Sequence, residues 1–214
     1  MSELNISELN RRREFWDYQH IIPNMEELTN SPFEPMVDAC KIRNIMKPKM
    51  HILEVGVGSG LATKGFYDNG YFISALDISN IALNNVREYC EYVYMIEQLD
   101  EMPSNYFDII IMMNAIQHIP TDMLTYELGH LMRSLKNDGV LVLEFVSTDT
   151  AEDTGYNTYW DGSDSGVYCR TPKFMENMIN NMGGECELVE NNKCHGLGIV
   201  TGCHTFHVKK LYKI

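Results

Sequence analysis

The stretch His51-Ile-Leu-Glu-Val-Gly-Val-Gly-Ser-Gly60 decides the fold. A short run built around Ile52, Leu53 and Val55 reads as a strand buried on both faces. Glycines at 56, 58 and 60 end it. Glycine reaches backbone conformations that other residues avoid, and it lets a ligand come close to the main chain. Strand, glycine turn and the helical stretch 61–67 form the start of a unit whose ligands sit beyond the carboxyl ends of parallel strands. Glu54 lies inside the run. A buried carboxylate is costly unless it is hydrogen-bonded, so a partner is expected, such as a cationic amino-acid group of a ligand.

Outward from this loop, apolar runs alternate with helical stretches. Residues 71–77 read as a strand ending on Asp77, and Ser79 as the N-cap of a helix to about residue 90. Strands are expected over 92–96, 107–113 and 140–145. A helix over 121–135 is expected to stop at Asn137-Asp-Gly139, and another precedes the loop over 36–46. Strands apolar on both faces and separated by helices describe an α/β fold with a doubly wound parallel sheet. Residues 147–170 are polar and aromatic without period. Thr171 then opens a helix to about 182, and strand formers near 186–189 and 203–210 predict a C-terminal hairpin. Residues 1–35, helical over 8–18 and then broken by Pro23, Pro32 and Pro35, form an expected N-terminal cap. The main domain is expected over 36–214, with 147–170 as an insert.

Composition excludes several classes. With 214 residues, 44% of them hydrophobic, the chain suits one domain with a sizeable core. No apolar run reaches the roughly 18 residues of a membrane span, and residues 1–6 show no secretory signal pattern, so a cytoplasmic protein is expected. A net charge of −13 argues against nucleic acid as a partner. The Arg11-Arg12-Arg13 cluster leaves room for one bound anionic group. The six cysteines form no C-x-x-C pair and are expected to be free thiols.

Asp77 ends the second strand, where a carboxylate can accept both hydroxyls of a ribose, whether of a nicotinamide cofactor or of S-adenosylmethionine (SAM). The dinucleotide fingerprint G-x-G-x-x-G is imperfect here, because Leu61 stands where its third glycine falls. Leu53-Glu-Val-Gly-Val-Gly-Ser-Gly60, Ala75-Leu-Asp-Ile-Ser79, the segment from Met102-Pro103 to Phe107-Asp108, Asn114-Ala-Ile-Gln-His-Ile-Pro120 and Gly139-Val-Leu-Val-Leu-Glu-Phe145 follow one another in order. Together they resemble the class I SAM-dependent methyltransferases of the small-molecule group, over about residues 36–146. The resemblance implies a Rossmann-like seven-stranded sheet, mostly parallel with an antiparallel C-terminal strand. It implies SAM as cofactor and S-adenosylhomocysteine (SAH) as product. By the same resemblance Glu54, Gly56, Gly58 and Gly60 hold the methionine part, Asp77 and Ile78 the ribose side, Gln98 and Leu99 the adenine, and Asn114 stands near the sulfonium.

Methyl transfer needs nucleophile, methyl and sulfur in line, and a base when the nucleophile is a hydroxyl. His118, at the cofactor end of the fourth strand, is the candidate base; capping its turn or packing beside the cofactor is the alternative. Trp16, Tyr18 and His20 in the N-terminal appendage, which commonly covers the site in this family, are candidate substrate contacts. So are Tyr156, Trp160 and Arg170 in the insert, and His204 and His207 in the last strand. No metal is expected, because Cys194, His195, Cys203, His204 and His207 fit no standard zinc spacing. The resulting expectation is methylation of a small polar metabolite, foremost on a hydroxyl oxygen of a sugar or a phosphorylated or anionic molecule. The alternatives are a non-catalytic SAM-binding subunit and a nicotinamide-dependent oxidoreductase. Oligomeric state is not legible.

Overall fold

The computed structural model describes residues 6–21, 37–38, 40–147, 156–159, 167–192 and 202–211. The helix α1 (Ile6–Ile21) precedes the sheet. Then β1 (His51–Val55), α2 (Leu61–Asp68), β2 (Phe72–Asp77), α3 (Asn80–Val86), β3 (Tyr92–Met95) and β4 (Phe107–Met112) alternate. They are followed by α4 (Thr121–Ser134), β5 (Leu135–Ser147), β6 (Tyr156–Tyr159), β7 (Val167–Arg170), α5 (Pro172–Asn181), β8 (Gly184–Asn192) and β9 (Gly202–Lys210). The seven-stranded sheet runs β3-β2-β1-β4-β5-β9-β8. Pairings among β1 to β5 are parallel, and β9 lies antiparallel between β5 and β8. This is the mostly parallel sheet with one antiparallel C-terminal strand that the family resemblance implies.

The uniformly apolar strands are explained by two cores. Ile109, Ile111, Val140 and Val142 pack with Ile52 and Phe66 on one face. Ile110, Met112, Leu141 and Leu143 pack with Leu53, α4 and α5 on the other. Side chains alternate across a strand, so a strand covered by helices on both sides has no use for a polar position. Fully burying each such side chain contributes about 1.5–3 kcal/mol. Among the described residues, no helix is long and apolar enough to cross a membrane.

Four expectations are corrected. Residues 40–49 are turns and bends rather than a helix to 46, since Lys41 adopts φ 53 and Pro48 follows. The helix after Thr121 ends at Ser134, because Leu135 already pairs with Phe107; residues 137–139 lie instead within β5, beside its break in register. The 147–170 insert is not structureless: β6 and β7 pair antiparallel, with Tyr156 opposite Arg170. The C-terminal hairpin is longer than its apolar centre suggests, nine residues in each strand. Cys40, Cys90, Cys169, Cys186 and Cys203 are free thiols.

The glycine turn sets the start of α2. Gly60 is its N-cap at φ 81, and a Cβ there would stand 2.4 Å from Val86 Cγ1. Val86 is fully buried and cannot retreat. We expect Gly60→Ala to cost about 2–4 kcal/mol from strain and overpacking together. Gly70 has a similar φ of 79 but open space around it, and its alanine variant should cost only about 1 kcal/mol. Urea unfolding of the two variants measures the difference.

Candidate active site

The chain passes from β1 to β2 on one side of the sheet and from β4 to β5 on the other, so a crevice opens at the carboxyl ends of β1 and β4. A cleft of about 210 Å³ lies there. Gly56 and Gly58 form part of its wall. Both have positive φ, 76 and 52.

Asp77 faces the cleft from the end of β2. One carboxylate oxygen accepts from Ser79 N at 2.8 Å and the other from Gly58 N at 3.4 Å. Each oxygen keeps a further lone pair for a ligand. Burial raises the Asp77 pKa, while the Ser79 and Gly58 amides and the His20 charge pull it back. Ile78 and Ile96 supply apolar wall beside it. Asn114, directly after β4, also lines the cleft. It holds φ 53, which asparagine tolerates better than most residues, and its backbone N–H bonds Glu144.

The helix α1 closes the cleft. Arg12, Trp16 and His20 line it; spaced four apart, they share one helix face. Among the contacts that dock the helix, Arg13 Nε donates to Ile78 O at 3.1 Å, and Ser79 Oγ donates to Asp17 at 2.6 Å. The Trp16 ring meets the His118 ring edge-on at 4.9 Å and stacks on His20 at 6.0 Å. Thus His118, Trp16 and His20 of the predicted set come together with Gly56, Gly58, Asp77, Ile78 and Asn114.

Other candidates go elsewhere. Tyr18 lies off the lining face of α1 and is 63% exposed. Glu54 sits behind the loop, where Thr63 Oγ1 donates to it at 2.6 Å. Burial pushes its pKa up to about 8, the Thr63 hydroxyl works against this, and the Asp77 charge adds to it. The structure thus gives Glu54 a local hydroxyl as partner. Gly60 is occupied as the cap of α2. Gln98 accepts from Met95 N at 2.9 Å and donates to Glu101, and Leu99 is fully buried; neither lines the cleft. The wall they were expected to form is supplied by Ile96.

Arg170 is fully buried. Its guanidinium donates to Ile116 O at 3.0 Å, Ile119 O at 2.5 Å and Thr121 Oγ1 at 3.2 Å. It clamps the segment carrying His118 instead of meeting a ligand. His204 shares a 2.7 Å hydrogen bond with Ser147 Oγ, and His207 Nε2 donates to Cys40 O at 2.7 Å. The two histidines point to opposite faces of the sheet, and neither reaches the cleft. Trp160, Cys194 and His195 lie outside the described residues, as does the Tyr156 side chain. The basic cluster disperses: Arg11 pairs with Glu8, Arg12 is buried, and Arg13 bonds Ile78 O and Glu97.

Two cleft residues escaped the sequence reading. Arg12 is 4% exposed; its Nη2 donates to His118 O at 2.7 Å and its Nη1 meets Met123 Sδ at 3.4 Å. Glu127, on α4, is 3% exposed. Burial pushes its pKa up to about 7, with Arg12 and Arg170 lowering it and Asp77 raising it. The available signal was its spacing, since Glu127 falls between Met123 and Leu131 in the buried stripe of α4.

A protein-family model described as a methyltransferase domain matches residues 37–187. The mitochondrial ubiquinone biosynthesis O-methyltransferase of Schizosaccharomyces pombe is 23% identical over 145 residues, 62% of this chain and 51% of that protein. The chain therefore spans about half the length of that relative. A SAM-dependent methyltransferase from Methanosarcina mazei superposes with a TM-score of 0.67 at 16% identity, over 80% of this chain and 98% of that one. The 1,6-didemethyltoxoflavin-N1-methyltransferase of Burkholderia thailandensis, solved with 1,6-didemethyltoxoflavin and SAH bound, gives 0.71 at 14% identity, over 99% and 92%. These two likenesses establish the fold.

Two outcomes are expected from the buried charges. The folded pKa of Glu54 lies near 8, above its ordinary 4.5. Its contribution is therefore fully present below the unfolded pKa and is lost as pH rises through the folded one. Ligand-free protein should lose stability between pH 5 and 8.5, and Glu54→Gln should reduce that slope without abolishing it, because Glu127 acts with the same sign. Urea midpoints across this range test it. Arg170→Met, which leaves buried carbonyls without donors, should cost about 3 kcal/mol in the same assay.

Proposed function

The chain belongs to the methyltransferase-domain family, whose fold is that of the class I SAM-dependent enzymes, and from that membership we propose that it transfers the methyl group of SAM to a small polar metabolite, on a hydroxyl oxygen. The observation that carries the reading is the Asp77 carboxylate. It lines the cleft at the end of β2 beside Gly56 and Gly58, with acceptor capacity left over.

The residues present suit SAM. Asp77 would take the ribose hydroxyls, as acidic residues do at this position. The backbone of Gly56 and Gly58 allows close approach of the amino-acid end, Ile78 and Ile96 offer apolar faces to the adenine, and Asn114 stands at the sulfonium end. SAM, when bound, supplies a methyl group on a positively charged sulfur that leaves as the neutral thioether of SAH. The chain's own part is to align and to manage a proton. His118 lines the cleft and its main chain is held by Arg12, so its ring is set to take the proton that a hydroxyl loses on methylation. Trp16 packs against that ring and, with the rest of α1, keeps water out. We take α1 as the cap of the site.

The relatives' names divide between oxygen and nitrogen acceptors, so the choice of oxygen rests on His118 and on the absence of an Asn-Pro-Pro-Tyr segment, in whose place Asn114-Ala-Ile-Gln117 stands.

Calorimetric titration with SAH tests the proposal. Wild type should bind, and Asp77→Ala should weaken binding about 10- to 100-fold through the loss of charge-assisted hydrogen bonds. Binding of NADH in place of SAH would remove the reading.

A further inference from the structure

Glu127 has no part in the chemistry above. It sits in the core-facing stripe of α4 and yet lines the same cleft as Asp77, Asn114 and His118. Among the described residues its carboxylate makes no hydrogen bond and no ion pair. A carboxylate taken out of water without a hydrogen bond is a costly arrangement. The arginines that favour its charge do so from a distance. Arg12 gives its Nη atoms to His118 O and Met123 Sδ, and Arg170 gives its own to Ile116 O, Ile119 O and Thr121 Oγ1. The cleft therefore holds one buried acceptor group waiting for a donor.

The chemistry of that donor is constrained. Above the Glu127 pKa of about 7, where the group is an ionised acceptor, a phosphate or carboxylate offers it acceptor oxygens and brings negative charge against it and Asp77. Arg12 is the guanidinium on the wall; its Nε is buried without a partner and each Nη already spends one N–H, on His118 O or Met123 Sδ, which limits the two-pronged pairing that makes arginine an anion receptor. An ammonium would find a partner in Glu127 but would share its surroundings with Arg12 and Arg170. A hydroxyl carries a donor and no charge, and meets none of these penalties. Resting on the methyl-transfer reading, we propose that Glu127 determines acceptor specificity: it accepts a hydrogen bond from a hydroxyl of an uncharged acceptor and excludes acceptors bearing a phosphate or carboxylate. Of the acceptor classes that the sequence leaves open, this keeps the sugar hydroxyls and removes the phosphorylated and anionic molecules.

The test is saturation-transfer NMR at pH 8.5, where Glu127 is ionised, on SAH-loaded protein, with fragments matched in skeleton. Glycerol, glucose and catechol form one set; glycerol 3-phosphate, glucose 6-phosphate and 3,4-dihydroxybenzoate form the other. Uncharged members should bind about tenfold or more tightly than their anionic partners. Glu127→Gln removes the charge and should shrink that preference to about threefold or less. Glu127→Asp keeps the counter-charge for both arginines but withdraws the oxygens by one methylene; it should lose affinity for the uncharged set while still rejecting the anions. It also reads out the proposal if the glutamine variant does not fold. Equal or tighter binding of the anions, an unchanged preference in both variants, or no binder in the uncharged set each overturns the inference. SAH is titrated into each protein first. Failure of wild type to bind SAH removes the methyl-transfer reading itself, whereas SAH binding without a Glu127-dependent preference removes only the role of Glu127.

Discussion

The loops that leave β1 and β4 meet at one point. A Cβ on Gly56 would lie 2.8 Å from the Cβ of Ala115, closer than two such atoms can approach. The chain reverses its order of strands between these two loops, and ligands of open α/β sheets bind where that reversal opens the layer. The cleft is therefore the space that remains when two departing backbones are allowed almost to touch. Gly56 is required twice over, by its φ of 76 and by its neighbour. Its N–H still reaches Leu76 O at 2.8 Å, so the turn stays tied to β2 and carries Asp77 to the rim. Asn114, next to Ala115, is brought to the rim by the same approach.

Around that point, among the described residues, the protein buries five charged side chains. Glu54, Asp77, Glu127, Arg12 and Arg170 are all nearly removed from water. Each is answered differently. Glu54 has a hydroxyl, Asp77 two backbone amides, and Arg170 a set of carbonyls across the segment 116–121. Arg12 ties the same segment to α1 through His118 O. Both arginines are thus scaffolding for one short turn, and the turn is where the candidate base stands. Glu127 is left without a local answer, which separates it from the others.

The parallel core was legible because it depends on short-range pattern. The apolar run Phe107–Met112 follows from burial on both faces, and the glycine loop with Asp77 marks the cofactor end. Legibility failed where a residue's fate is set by distant partners. Nothing local tells that Arg170 will be drawn inward by carbonyls about fifty residues away. His204 and His207 were visible as a pair on opposite faces, but the face toward the cleft is fixed by the pairing of β9 with β5. The bulged start of β5 was hidden for the same reason, since the pairing of Leu135 with Phe107 is a sheet property. Arg12 and Glu127 were missed although their spacing was in view, because a charge inside an apolar stripe reads as an exception until its neighbours are known.

The way α1 is attached also bears on how the molecule comes into being. Ile6–Ile21 is made before every strand of the sheet, but its only fully buried apolar residue is Leu9. Its anchors are Ile78, Ser79, His118 and Met123, the last 111 residues further along the chain. A helix of this length with so little apolar surface is marginal by itself in water. Its docking partners therefore span residues 78–123, and the cover of the cleft cannot be complete until that whole stretch has been made.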